Sequence, residues 1–152
     1  MNRFFNIATG AIGVFYVIND TCYRLMVNLY RHQGYSPDKV ERLANNSDIF
    51  GLIIILAILI TIFGVTAIVS NMILFSQKLF FLKILMNVTT MLMPFIYVDN
   101  LWFIIYEGFF CLIFIIYLVN LKKIDVNNPD RQTLRKEISN SSSKNNISGY
   151  NK

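Results

Sequence analysis

Hydrophobic residues along this chain fall into four long blocks, and the polar breaks between them set the expected architecture. The first block runs from Phe4 to Tyr30, with its apolar part ending at Ile18, and the second, Ile49 to Phe75, carries no charged residue. After the break SQKLFFLK the third runs from Phe80 to Val98, and after Asp99-Asn100 the fourth runs from Leu101 to Leu121. A helix needs roughly 20 residues to cross about 30 Å of hydrocarbon, and each block comes close to that or exceeds it. The pattern predicts an all-α integral membrane protein, a four-transmembrane-helix bundle over residues 1–121. A basic polar tail, 122–152, follows it. The two-residue break at Asp99-Asn100 predicts a tight antiparallel hairpin between the last two spans. A cleaved signal peptide is the competing reading of the N-terminal block, with Arg3 as its charged region. No small-residue cleavage site follows Ile18, so the block is kept as a span.

Shorter signals lie in the breaks. In SPDKVERLA, Ser36 is placed to cap a helix, Pro37 suits its first position and Asp38 its first turn. Val40, Leu43 and Ala44 give it a narrow apolar stripe, which predicts a short outer amphipathic helix lying on the membrane surface. The tail repeats the device in NPDRQTLRKEI, where Pro129 opens a helix with Leu134 and Ile138 on one face and Arg131 and Arg135 on another. Beyond Ile138 the run SNSSSKNNISGYNK has too little apolar content to order itself.

Composition agrees with the pattern. The chain has 152 residues, of which 55% are hydrophobic and 15% charged, and a mean hydropathy of +0.48, too apolar for a soluble domain of this size. The formal charge of +5 raises the question of nucleic acid. Basic residues sit at span ends and in the tail, however, with no stripe of Lys and Arg interleaved with aromatics, so nucleic acid is not expected as a partner. Lys and Arg bias decides orientation instead. Arg3, Lys78, Lys83, Lys122, Lys123, Arg131, Arg135, Lys136, Lys144 and Lys152 fall on one side of a four-span topology, against Arg24, Arg31, Lys39 and Arg42 on the other. The positive-inside rule then places both termini on the cytoplasmic side, or the matrix side of a mitochondrial inner membrane. Arg131, Arg135 and Lys136 are available to dock anionic lipid or a partner protein.

Polar residues inside the spans are the candidate chemistry. Asp20 and Arg24 are four residues apart and share a helix face, the acid N-terminal to the base as such pairs prefer. At 1.5 Å per residue Asp20 lies about 24 Å above Phe4, near the outer interface, and Glu107 about 9 Å below Leu101 on the same side. Asp20, Arg24 and Glu107 therefore form one expected polar layer, with an Arg24 to Glu107 contact tying the first and fourth spans. An ionisable residue within a span is expensive and faces protein or a cavity, so the layer is either a packing bridge or a ligand or ion site. Near the inner face a second, uncharged layer is expected from Ser70, Asn71, Asn87, Thr89 and Thr90, as hydrogen-bonding glue between helices. Pro94 is expected to kink the third span. Gly10 and Gly13 on the first span, and Ala57, Thr61, Gly64 and Ala67 on the second, allow close backbone approach. Tyr97, Trp102 and Tyr106 suit an outer aromatic belt.

The catalytic inventory is thin. His32 stands alone in the outer loop, Cys22 and Cys111 fall at different depths, and there is no GxSxG, HExxH or glycine-rich phosphate loop. No enzyme activity, metal or cofactor is expected.

Three stretches, GAIGVFYVINDTCYRL, GYSPDKVERLANNSDIFG and the glycine of ITIFGVTA, resemble the DoxX-like superfamily of small four-helix membrane proteins over about the first half of the chain. That superfamily includes cargo receptors and receptor-assembly chaperones. Asp48 stands where it tends to carry Glu, and its basic residue after the second-span glycine and its Gly-rich close after the fourth span are missing here. The leading expectation is a non-enzymatic small multi-pass protein, an accessory subunit or assembly factor whose partners are the lipid bilayer and other membrane subunits. The alternative is a small transporter, channel or DoxX-like client receptor using the Asp20, Arg24 and Glu107 layer.

Overall fold

The computed structural model describes residues 2–96 and 100–126, and helix is the only regular structure among them. Five α-helices follow in order: α1 (Asn2–His32), α2 (Pro37–Asn45), α3 (Asp48–Ile73), α4 (Phe80–Leu92) and α5 (Asn100–Val126), with a 3-10 turn at Met93–Phe95. The chain divides into two compact units, residues 1–114 and 115–152. The first holds α1 to α4 and the opening of α5; the described part of the second is the closing stretch of α5. The tail residues Arg131, Arg135 and Lys136, and the hairpin residues Tyr97 and Asp99, lie outside the described residues.

Local chemistry sets the helix ends. Gly34 has φ 79°, and the Tyr35 and Gly34 amides donate to the carbonyls of Tyr30 and Arg31 at 3.4 and 3.1 Å. This is the double bond pattern with which a glycine in the left-handed region closes a helix. Pro37 opens α2 as its sequence predicts, with Ser36 in extended backbone at the cap position but making no side-chain cap bond. Ser47 supplies that bond for α3: its Oγ accepts from the Phe50 amide at 3.2 Å. Asp48 adds a negative charge to the first turn, where the helix dipole favours it.

Pro94 ends α4 instead of kinking it. Proline has no amide hydrogen to give the Thr90 carbonyl. The helix tightens, the Met93 amide donates to Thr90, and the backbone turns extended at Ile96. Tightening frees the Thr89 carbonyl, and the Tyr106 hydroxyl of α5 donates to it at 2.7 Å. Tyr106 is thus turned inward to complete a helix end, while Trp102 is exposed. Tyr106→Phe should lower unfolding stability by about 1 to 2 kcal/mol, the cost of leaving one buried acceptor unpaired. Thermal melting of the purified variant against wild type checks this; an unchanged midpoint would show that water takes the place of the hydroxyl.

Burial mixes polar and apolar groups: Ile60, Met86 and Phe110 are fully buried, and amides and hydroxyls are enclosed beside them. Asn6, Thr9, Asn71, Asn87 and Thr90 are fully buried, whereas Phe15, Ile55, Ile58, Ile62, Phe81 and Leu101 are more than half exposed. α3 and the stretch Leu101–Val126 are each long and apolar enough to cross a membrane. In α3 the buried side is narrow: Ile60, Gly64, Ala67 and Asn71. α1 is 31 residues long, but Asn6, Asn19, Asp20, Arg24 and Asn28 interrupt its apolar run. α4 has only 13 residues before the 3-10 turn.

Small residues let the helices close up where the sequence places them. A Cβ on Gly13 would lie 2.6 Å from Phe110 Cζ and 2.8 Å from Thr90 Cγ2, and one on Gly10 would collide with the Phe114 ring. Gly64 receives Met91 in the same way. The Phe110 and Phe114 rings lie parallel, 6.2 Å apart with 5° between their planes.

Candidate functional site

Two polar layers occur in the first unit, one at the start of α1 and the other in its second half. The inner one is built of amides from three helices. Asn6 Oδ1 of α1 accepts from Asn71 Nδ2 of α3 at 2.9 Å and from Asn87 Nδ2 of α4 at 2.7 Å. Asn6 Nδ2 donates to the Asn2 carbonyl at 2.8 Å, and Asn87 Nδ2 also reaches the Lys83 carbonyl at 2.8 Å. Beneath them Gln77 Oε1 accepts from Asn2 Nδ2 and from Lys83 Nζ, both at 2.7 Å, fastening the α3–α4 loop to the start of α1.

Asn71 and Asn87 thus meet as a layer, but through Asn6, which the sequence reading left out. Thr89 and Thr90 sit beside it with their hydroxyls turned to the carbonyls of Leu85 and Met86, four residues back, at 2.7 Å each. Their bonding stays within α4. Ser70 is half-buried and takes no part.

The outer layer carries the charge. Arg24 Nε donates to Asp20 Oδ2 one helical turn below it. The guanidinium carbon stands 4.6 Å from the centre of the Phe103 ring, a cation–π seat on α5. Glu107 lies one turn beyond Phe103 on α5, 3% exposed. Its carboxyl is within hydrogen-bonding reach of the Asp20 carboxyl and in the field of Arg24, while its Oε1 has no partner. Asp20, Arg24 and Glu107 therefore form one cluster, in which Asp20 stands between the other two. Tyr16, also buried, borders it from one turn down α1.

Above the cluster opens a cleft of about 820 Å³. Asp20, Arg24 and Tyr16 line its floor, Tyr23, Asn28 and Arg31 one wall, and Glu41, Asn45, Phe50 and Phe103 others. α2 forms its roof, docked by Val40 and Ala44, which are buried, while Leu43 stays exposed. The Tyr23 hydroxyl helps to hold it, donating to Asn45 Oδ1 at 3.1 Å. The helix expected to lie on the membrane surface turns Val40 and Ala44 against the protein and leaves Leu43 exposed. Pro94 lines its far edge together with Met93 and Ile96, where α4 ends early.

Sequence reasoning missed Asn6 and Tyr16, and a signal for both existed. Buried positions on α1 are Asn6, Thr9, Gly10, Gly13, Tyr16 and Asp20, recurring every three or four residues. That is the spacing of one helix face. Cys22 and Cys111 are free thiols, and among the described residues no group of His, Cys, Asp and Glu could hold a metal ion.

Comparison with family models, curated proteins and solved structures returned no match to this chain.

Proposed function

We propose that this is a non-enzymatic, multi-pass membrane protein that binds a small polar ligand or client group in the outward cleft above Asp20 and Arg24. In this reading α1, α3, α4 and α5 cross the bilayer, both termini face the cytoplasm or matrix, and α2 roofs the cleft on the opposite side. What supports the membrane setting is the large number of exposed Ile, Leu and Phe side chains with amides fully enclosed behind them, which suits a surround of lipid. What carries the binding reading is the cleft itself: about 820 Å³, within the usual size of small-molecule sites, floored by a charged pair. It asks the residues to hold a ligand, as a receptor or carrier does, and not to transform it. A DoxX-like client receptor is one form of this reading.

The accessory-subunit reading draws on a different observation. Gly51 and Gly108 face open space, with nothing near their missing Cβ atoms. Such positions admit the backbone of a neighbouring helix.

One experiment addresses both. The full chain, gently extracted from its own membranes, is examined by native gel and native mass spectrometry. A small molecule retained by wild type and lost on Asn28→Trp, which fills the cleft, is the expected result. No retained mass, with migration inside a large defined complex, would sink the binding reading in favour of the subunit.

A further inference from the structure

Four charged side chains line the cleft, Asp20, Arg24 and Arg31 of α1 and Glu41 of α2, two acids against two bases. Asp20 and Arg24 are bonded to each other on the floor. Arg31 and Glu41 differ: they stand exposed on two helices, and among the described residues neither has an ion-pair partner. A ligand of one charge would match one of them and leave the other unanswered, whereas a ligand carrying both signs answers both. The Tyr23 and Phe50 rings line the same cleft, their centres 5.8 Å apart and their planes 34° from each other. Ring faces attract quaternary ammonium, whose charge is spread over its methyl groups.

We infer that the cleft is a site for a phosphocholine group, its phosphate on Arg31 and its trimethylammonium against Tyr23, Phe50 and Glu41. This rests on reading the cleft as a ligand site and names the ligand's class. Arginine suits the phosphate because its planar fork gives two parallel N–H bonds to two oxygens. Glutamate serves the ammonium as a counter-charge alone, since trimethylammonium has no N–H to donate. The group carries no net charge and leaves the balance of the four lining side chains as it is. In the proposed orientation the cleft opens at the headgroup level of the outer leaflet, where phosphate is the anion at hand. A volume of about 820 Å³ holds the group with room to spare, and the apolar edge at Met93 and Ile96 suits hydrocarbon attached to it. Two sources offer the same chemistry, an outer-leaflet phospholipid and a water-soluble ester such as glycerophosphocholine.

The test uses the full chain in nanodiscs of phosphatidylglycerol, whose headgroup carries no cation, with three soluble probes: glycerophosphocholine, glycerol 3-phosphate and choline. Isothermal titration reads the affinities. Glycerophosphocholine is expected to bind about tenfold more tightly than either of the other two. Arg31→Gln should weaken it by about tenfold and leave choline unchanged; Glu41→Gln should weaken it similarly and leave glycerol 3-phosphate unchanged. Both side chains are exposed, so these variants are expected to fold as wild type does. Native mass spectrometry of the chain in maltoside detergent, offered equal phosphatidylcholine and phosphatidylglycerol, reads the source. Selective retention of phosphatidylcholine, lost on Arg31→Gln, assigns the group to a lipid; glycerophosphocholine binding without it assigns a soluble ester. Choline or glycerol 3-phosphate binding as tightly as glycerophosphocholine, glycerophosphocholine binding untouched by both variants, or no binding of any probe would each overturn the phosphocholine site. In each of those cases the molecule retained by wild type and lost on Asn28→Trp decides separately whether the cleft is a ligand site.

Discussion

Asn6→Leu is expected to destabilise the helix assembly by about 2 to 5 kcal/mol, because one side chain completes the bonding of two others. Asn71 Nδ2 donates to Asn6 Oδ1 and Asn71 Oδ1 accepts from Asn6 Nδ2, so leucine at position 6 removes both of these bonds. Asn87 Nδ2 would keep the Lys83 carbonyl, but its Oδ1 is already without a partner. Leucine is also branched where the amide was flat, at a position with no exposed surface. A fluorescence-detected thermal melt of the variant, at matched detergent and lipid, measures the loss. The pairing leaves a further signature in a double-mutant cycle. Asn6→Leu with Asn71→Leu should cost less than the two single changes added together, since donor and acceptor disappear at once. Strictly additive losses would mean that the amides do not act as a unit.

Gly13→Leu should be of similar size by a different mechanism. The first added carbon would sit 2.6 Å from the Phe110 ring and 2.8 Å from Thr90 Cγ2, and both of those side chains are fully buried. Phe110 has little room to give way, because its ring lies parallel to that of Phe114, which in turn occupies the space above Gly10. Overpacking of a tight core costs about 1 to 3 kcal/mol where a side chain can adjust. Here the helices themselves must part, and loss of the monodisperse peak on size exclusion is expected. Gly108→Ala provides the contrast: nothing lies near its missing Cβ, and alanine improves helix propensity by up to about 1 kcal/mol. Partial recovery of Gly13→Leu by Phe110→Ala would locate the clash; equal damage at positions 13 and 108 would refute it.

Much of this was legible in the order of residues. The helices are visible as apolar blocks, Pro37 marks the start of α2, and the spacing of Asp20 and Arg24 brings them to one face. Three features were not, each for a physical reason. Asn6 reads as a polar flank because a hydropathy window asks how apolar a position is, while the buried side of α1 is made of small and polar residues. Thr89 and Thr90 read as helix glue because their hydroxyls can bond outward, but on a helix the carbonyl four residues back is nearer. Pro94 reads as a kink because the apolar run continues past it; the tightened turn and the Tyr106 hydroxyl that caps Thr89 depend on another helix. The cleft combines all these distances, since its floor comes from α1, its walls in part from α3 and α5, and its roof from α2.

If α4 crosses the bilayer as proposed, its early end has a consequence for the lipid beside it. Phe80 to Phe95 spans 16 residues, about 24 Å at helical rise, against a hydrocarbon layer of about 30 Å. In the proposed orientation that shortfall of about 6 Å lies on the outer leaflet, beside Met93 and Ile96. Lipid next to a short segment responds by thinning. The protein would then wear a local dimple on its outer side, and an amphiphilic solute already dissolved among the headgroups could slide in sideways, without first crossing into bulk water.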